Sequence, residues 1–469
     1  MSKSSFLQPR NNRNLMKTLR ALIIVLFTAL VPLMAQQPQQ ATPVQEFKPI
    51  LAGIELKDGD SLVFLGDSIT HQCLYTQYIE DYFYTRFPEK RISFHNSGVG
   101  GDRAEDALAR FDDDVAAFKP KYVTILLGMN DGSYTKFEPQ VFETYEKGMN
   151  ELLDKIATLG ALAVPMTPTM HDSRAARMRK PAEPRDTYYN SVLAFYGTWL
   201  REVASQRGLG FVNMWAPLND LTMEKRKKEP NFTLIPDAVH PSPTGQVVMA
   251  TAIINDMIPR SSVSHIVVRQ QPKTGKFNIT AVNGKAADLE ATDDKISFTF
   301  KANALPWVLP PEAIGGYTLT HAGHRYSNEK ITVGNLKPGK YELRIDGQPV
   351  GSYTDGQLAF GVELECNDKT PQYQQALKVA MLNKDRNEKA LKPERGLWVS
   401  LKVKRRELKK LESGADKDAA AAKRVELEKW LPEFKTGVAE KLALAKQLED
   451  QIYEANKPVV RKYELVCLP

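Results

Sequence analysis

Residues 61–72, SLVFLGDSITHQ, decide how the chain is read. Leu62-Val63-Phe64-Leu65 is an apolar run with the length of a buried strand rather than a helix. Gly66 follows, where the missing Cβ permits a tight turn. After Asp67 and Ser68 the spacing becomes helical. A hydroxyl on such a strand-to-helix turn is lifted clear of the sheet and stands at a helix N-terminus. Backbone N–H groups and the dipole there favour negative charge, including the oxyanion of an acyl-transfer intermediate. Taken alone, Gly-Asp-Ser is also what a strand, a turn and an N-cap serine look like. The chemical reading therefore needs partners elsewhere in the chain.

Outward from this stretch the pattern alternates strand and helix to about Met257. RISFHNSGV (91–99) reads as a second strand, KYVTILLG (121–128) as a third, ALAVPMTPT (161–169) as a fourth and GLGFVNMW (208–215) as a fifth. Helical spacing fills 102–118, 141–159, 188–206 and 244–257. Strands separated by helices of this length imply a parallel sheet covered on both faces, with sites at the carboxyl ends of the strands.

At those ends lie Gly100-Gly101-Asp102, Gly128-Met129-Asn130-Asp131 and, in a long loop, Asp237-Ala238-Val239-His240. Ser, Gly, Asn and His thus arrive in that order, each where a strand gives way to a loop. On these residues the chain resembles the SGNH, or GDSL-type, hydrolase family over about residues 55–258. The resemblance implies a flavodoxin-like three-layer α/β/α domain with five parallel strands. It also implies a catalytic set of Ser68, Gly101, Asn130, Asp237 and His240. Ser68 would be the nucleophile and His240 its base, with Asp237 fixing the imidazole tautomer. Gly101 and Asn130, with the Ser68 N–H, would hold the oxyanion. Asp67 and Asp131 are expected to brace their turns. The chemistry requires no cofactor and no metal. His71 reads as a helix-face residue, His171 as a candidate for the pocket rim, and His321 and His324 show no ligand partners in the sequence.

The rest of the chain sorts into further expected segments. Residues 1–35 carry basic residues before the apolar run 21–33 and read as a signal peptide. A disordered lead-in is expected at 36–54, the hydrolase domain at 55–260, and a β-rich accessory module at 261–366, where Asn283-Gly284 and Asp346-Gly347 supply turn chemistry. Residues 367–469 read as a helical hairpin, broken near Lys392-Pro393, with a C-terminal strand expected to return to the β module. Setting aside the five basic residues of the leader leaves 58 of the 63 Lys and Arg against 56 Asp and Glu, which gives no argument for nucleic acid. Cys366 and Cys467 end similar strand-like stretches, GVELEC and YELVC, and bridged and free forms are both open.

Together these features predict an extracytoplasmic enzyme, periplasmic or secreted, acting on a small-molecule or glycan ester, with acetyl esters of carbohydrate foremost. No membrane anchor is expected after signal cleavage. Basic loops at 171–186 and 223–229 extend the expected substrates to anionic glycans. The alternatives are a lipase- or thioesterase-type acylhydrolase, and a glycan- or envelope-binding protein whose hydrolase domain is vestigial.

Overall fold

The computed structural model describes residues 48–179, 184–260, 262–292 and 294–469. The expected signal peptide and residues 36–47 of the lead-in lie outside them. Packed chain begins before residue 55: Ile54 is buried, and its N–H donates to the Met257 carbonyl at 2.6 Å.

The apolar run becomes β1 (Ser61–Gly66), with all six residues buried. β2 (Ser93–Gly98), β3 (Tyr122–Leu126) and β4 (Leu162–Pro165) join it in a parallel sheet of order β2-β1-β3-β4. Burial of successive side chains along β1 means that both faces are covered, which is why its sequence reads as a continuous apolar run. The helices are α1 (Ser68–His71), α2 (Leu74–Arg86), α3 (Ala104–Leu108), α4 (Phe111–Asp114), α5 (Pro139–Thr158), α6 (Ser173–Arg179), α7 (Pro184–Arg207), α8 (Trp215–Arg226) and α9 (Pro243–Met257). The helix expected at 102–118 is therefore broken into short pieces.

The fifth strand is a correction. GLGFVNMW contributes one parallel bridge, Val212 to Met166, instead of a ladder. Val212 donates to the Pro165 carbonyl and accepts from Thr167 N–H. The next rung toward the N-terminus would need an N–H from Pro165, which has none. Toward the C-terminus, the Thr167 hydroxyl accepts from the N–H groups of Met214 and Trp215, at 2.9 and 2.8 Å, and the chain turns into α8.

Beyond α9 lie two further sheets. One has the order β11-β10-β13-β8-β7, the other β12-β9-β5-β6. Their strands are β5 (Ser264–Gln270), β6 (Phe277–Val282), β7 (Gly284–Ala291), β8 (Lys295–Ala302), β9 (Glu329–Gly334), β10 (Lys340–Ile345), β11 (Gln348–Thr354), β12 (Val362–Glu363) and β13 (Arg461–Cys467). Ile266, Val268 and Ile331 of the smaller sheet share one apolar core with Phe298, Leu343 and Tyr463 of the larger. The two cysteine-bearing stretches fall in different sheets, and Cys73, Cys366 and Cys467 are all free thiols.

Short helices α10 (Ile314–Leu319), α11 (Ala322–Tyr326) and α12 (Asp355–Phe360) lie among these strands. Three long ones follow: α13 (Pro371–Arg386), α14 (Lys392–Ser413) and α15 (Lys417–Ala455). The break expected at Lys392-Pro393 is absent. A π-helical turn, Asn387–Leu391, joins α13 to α14 without a gap, and Pro393 follows just after it. The reversal comes at residues 414–416, where the Asp416 carboxylate accepts from Ala419 N–H and caps α15.

These helices cover α2, whose sequence has no apolar stripe because it is enclosed on all sides. Residues 75–86 of α2 are all buried. Trp307 donates to the Tyr78 carbonyl at 3.0 Å and meets Tyr82 edge-on. Asn383 donates to Asp81 at 2.9 Å, and Arg386 and Asn387 donate to Glu80 at 3.2 and 2.9 Å. Buried carboxylates need such partners.

Candidate active site

The turn after β1 is shaped by Gly66. A Cβ there would stand 2.0 Å from the Thr70 hydroxyl, so only glycine lets α1 start this close to the strand. The Asp67 carboxylate accepts from Ile69 N–H at 2.9 Å and caps α1, leaving Ser68 at the first helical position. Burial pushes the Asp67 carboxyl up to about 7 against the hydrogen bond from Ile69, and the nearby Asp131 and Asp102 add to the rise.

Asp237 and His240 come from one loop before α9. The Asp237 Oδ1 accepts from the N–H groups of Val239 at 2.9 Å and His240 at 2.6 Å. Ala238 between them has φ +77°, a left-handed conformation that costs a non-glycine residue on the order of 1 kcal/mol. Its neighbours hold it there: Ala238 N–H donates to the Ile235 carbonyl, and its own carbonyl accepts from Asp172 N–H. The result aims both side chains one way. His240 Nδ1 lies 2.7 Å from Asp237 Oδ2, and His240 Nε2 lies 2.8 Å from Ser68 Oγ. Partial burial raises the Asp237 carboxyl, but the hydrogen bonds from His240 and Val239 outweigh it and hold the group below its ordinary value.

Gly101 lies in the loop after β2 with φ +70°. Asn130 lies in the loop after β3, and its orientation is set from both ends. Its Nδ2 donates to the Asp102 carbonyl at 3.0 Å, and its Oδ1 accepts from the Tyr134 hydroxyl at 3.2 Å. Asn130 Nδ2 also lies 3.4 Å from Asp67 Oδ2, tying it to the turn that carries Ser68. Asp131 accepts from Gly128 N–H and Ala104 N–H, at 2.9 and 2.8 Å, and braces the turn beside it. A cavity of about 400 Å³, lined by Gly101, Arg103, Asn130, Ser133, Tyr134 and Arg406, opens alongside. The five residues marked by the sequence thus gather in two linked groups, Ser68-His240-Asp237 and Gly101-Asn130.

Other candidates fare differently. His171 is buried and meets the Tyr189 ring edge-on, so it is not at a rim. His71 is pushed down to about 4 by burial and by the charges of Arg395 and Lys392. Of the basic loops, Arg226 is taken up by buried Asp172 at 2.6 Å, and Arg174 donates to the Pro230 carbonyl. Residues 180–183 of the first loop lie outside the described residues. His324 has neighbours the sequence does not reveal: its ring, Glu363 and Glu365 have polar atoms within 4.8 Å of one another, close enough to hold a cation. Sequence reasoning missed Tyr134, although it lies four residues after Asn130. It also missed Arg110, which donates to Asp102 at 2.8 Å from the turn between α3 and α4.

Residues 64–248 match the model of the GDSL-like lipase/acylhydrolase family. An acetylxylan esterase of Geobacillus stearothermophilus is 25% identical over 232 residues, which is 44% of this chain and 96% of that protein. The uncharacterized lipoprotein YqeF of Bacillus subtilis (strain 168) is 30% identical over 106 residues, 20% of this chain and 41% of that one. Among solved structures, a gut microbial diltiazem-metabolizing enzyme superposes with a TM-score of 0.75 at 26% identity, covering 89% of this chain and 100% of its own. The likeness to that enzyme therefore extends past the α/β domain into the β sheets and C-terminal helices.

Proposed function

We propose that this chain, an ester hydrolase whose residues 64–248 are a GDSL-like lipase/acylhydrolase domain, removes acetyl groups from carbohydrate esters outside the cytoplasm. Ser68 is the nucleophile, His240 the base and then the acid, and Asp237 the residue that orients the imidazole. The observation that carries this reading is the unbroken chain of contacts from Asp237 through His240 to Ser68, at 2.7 and 2.8 Å.

In the first step His240 Nε2 takes the proton of Ser68 as Oγ bonds to the ester carbonyl carbon. Negative charge moves onto the carbonyl oxygen. The N–H groups of Ser68 and Gly101 and the amide of Asn130 receive it there, each donor contributing roughly 10²–10³ in rate. As the tetrahedral intermediate collapses, His240 gives its proton to the leaving alcohol and an acyl-Ser68 ester remains. Water, deprotonated by His240, then releases the acid and restores Ser68. Asp237 keeps the Nδ1–H of His240 directed toward itself and steadies the imidazolium.

Acetyl groups on sugar are favoured by the acetylxylan esterase that this chain matches along most of that protein's length. Export is supported by the basic residues and apolar run at the N-terminus and by the lipoprotein relative. No helix among the described residues is long and apolar enough to cross a membrane. The test compares acetate release from acetylated xylo-oligosaccharides, diltiazem and longer-chain esters, using the wild type and Ser68→Ala. Acetate release that disappears in Ser68→Ala is expected. A preference for long acyl chains would move the enzyme to the lipases, and hydrolysis that survives in Ser68→Ala would remove Ser68 from the mechanism.

A further inference from the structure

The C-terminal helices reach the loop between β2 and α3. Trp398 and Leu401 of α14 share an apolar cluster with Val99, the residue just before Gly100. Beside them Lys402 points inward, its side chain only 10% exposed. Its ammonium donates to the Gly100 carbonyl at 3.0 Å and to the Asp102 Oδ1 at 2.6 Å. These residues flank Gly101, and a Cβ at Gly101 would stand 3.7 Å from the Lys402 nitrogen.

We propose that Lys402 is a positioning residue that holds the oxyanion loop of this hydrolase in its working shape. The proposal rests on the reading of Gly101 and Asn130 as oxyanion donors. Gly101 has no side chain to anchor it, and within the loop its φ of +70° is held by one turn bond, from Asp102 N–H to the Val99 carbonyl at 3.1 Å. The Lys402 ammonium adds contacts from outside the loop on both sides of Gly101. The same cation also bears on Asn130, because the Asp102 carbonyl takes one hydrogen of the Asn130 amide at 3.0 Å. Asp102 is fully buried, with Arg110 on one carboxylate oxygen and Lys402 on the other. Without Lys402, one oxygen of a buried carboxylate would lose its partner, and the residue would turn to find another. Both donors would then leave the positions at which they meet the developing charge. Part of the chain after residue 260 therefore serves the chemistry by finishing the active-site wall.

The test measures steady-state hydrolysis of p-nitrophenyl acetate by the full chain. Lys402→Ala should lower kcat about 10–100-fold with KM within about threefold, because misplaced oxyanion donors act on the transition state. Propylammonium should restore part of the lost kcat in a saturable way, entering by the 240 Å³ cleft that Asp102, Trp398 and Lys402 line. Lys409→Met, which removes a nearby exposed charge, should leave both constants unchanged. If Lys402→Ala does not fold, Lys402→Gln keeps a donor to Gly100 without the charge and should still lose about tenfold in kcat. Wild-type kcat in either variant, alongside an inactive Ser68→Ala, overturns the role of Lys402 and leaves the ester-hydrolase reading standing. An equal loss in Lys409→Met, or no response to the amine, reduces Lys402 to a general structural part. Hydrolysis that persists in Ser68→Ala brings down the active-site reading, and this proposal with it.

Discussion

Replacing Arg395 with Met tests how the C-terminal helices are held. Arg395 is fully buried and donates to both oxygens of Asp114, at 2.6 and 2.8 Å, and to its neighbour Glu394. Asp114 is also buried and keeps Ser97 at 2.8 Å, His95 at 3.0 Å and Arg110 as further partners. Among the described residues, Glu394 keeps the Trp398 indole, at 2.8 Å, as its one remaining side-chain partner. The substitution thus removes one positive charge from a dry site and leaves two carboxylates sharing what remains. Removing one partner of a buried pair costs about 3–5 kcal/mol. Because Asp114 retains three partners and Met refills the apolar space, about 3 kcal/mol is expected at pH 7.5. The acid dependence gives a second handle. Burial raises the Asp114 carboxyl, but Arg395, the bond from His95 and Arg110 together outweigh it and hold the group well below the ordinary carboxylate range. Its contribution to wild-type stability is therefore complete above the unfolded-state value near 4 and is lost only as pH falls through the lower folded value. In Arg395→Met the Asp114 carboxyl loses the charge that does most to hold it down and can take up a proton at a higher pH while folded, so the penalty should shrink between pH 7.5 and pH 4.5. Urea denaturation of both proteins at several pH values measures this. A difference under 1 kcal/mol at pH 7.5, or one that does not shrink with acid, refutes the assignment of Arg395 as the neutralising charge.

Two other expectations concern the loop of Asp237 and the thiols. Asp237→Asn keeps an oxygen for the two backbone N–H groups but turns an NH₂ toward His240 Nδ1, favouring the tautomer that cannot accept the Ser68 proton. Since Asp237 is 40% exposed and water can partly replace it, kcat should fall about 10²–10⁴-fold with little change in melting temperature; a loss under tenfold at pH 8 would show that the carboxylate does not orient the ring. All three cysteines should titrate with a thiol reagent in denaturant without prior reduction, and dithiothreitol should leave the melting temperature unchanged; fewer than three thiols would reveal a bridge.

The α/β fold was legible, and so were the turn of Ser68 and the loop of Asp237 and His240 in the candidate site, because each of these is fixed close by in the chain. Gly66, Asp67 and Ser68 make their turn within a few residues, and Asp237 meets His240 across three. The Ser68–His240 contact spans the domain, and the ends of a parallel sheet bring it about. The fifth strand misled because its apolar run was as strong as the others. What limits it is a missing N–H on Pro165 and a hydroxyl on Thr167, on the neighbouring segment rather than its own. A run of apolar residues states that a segment is buried, and says nothing of what its neighbour can donate.

The C-terminal helices were illegible for a different physical reason. Arg386, Arg395 and Lys402 look like ordinary charged positions on solvated helices, since periodicity separates polar from apolar faces but does not say which charges are buried. Their partners Glu80, Asp114 and Asp102 lie about 280–306 residues earlier. The same holds from the other side: Glu80 and Asp81 within α2 make sense only once α13 is in place, because burial drives both carboxyls upward and Arg386, Asn383 and Asn387 counter it. β13 closes the arrangement, since the last strand of the chain lies between β8 and β10 in the middle of its sheet. The larger sheet therefore takes its middle strand from chain that follows all three long helices. An α/β domain cut off after α9 would uncover the side of α2 that carries Glu80 and Asp81 and leave both carboxylates without Asn383, Arg386 and Asn387, so the stability of the α/β unit depends on the helices that follow it.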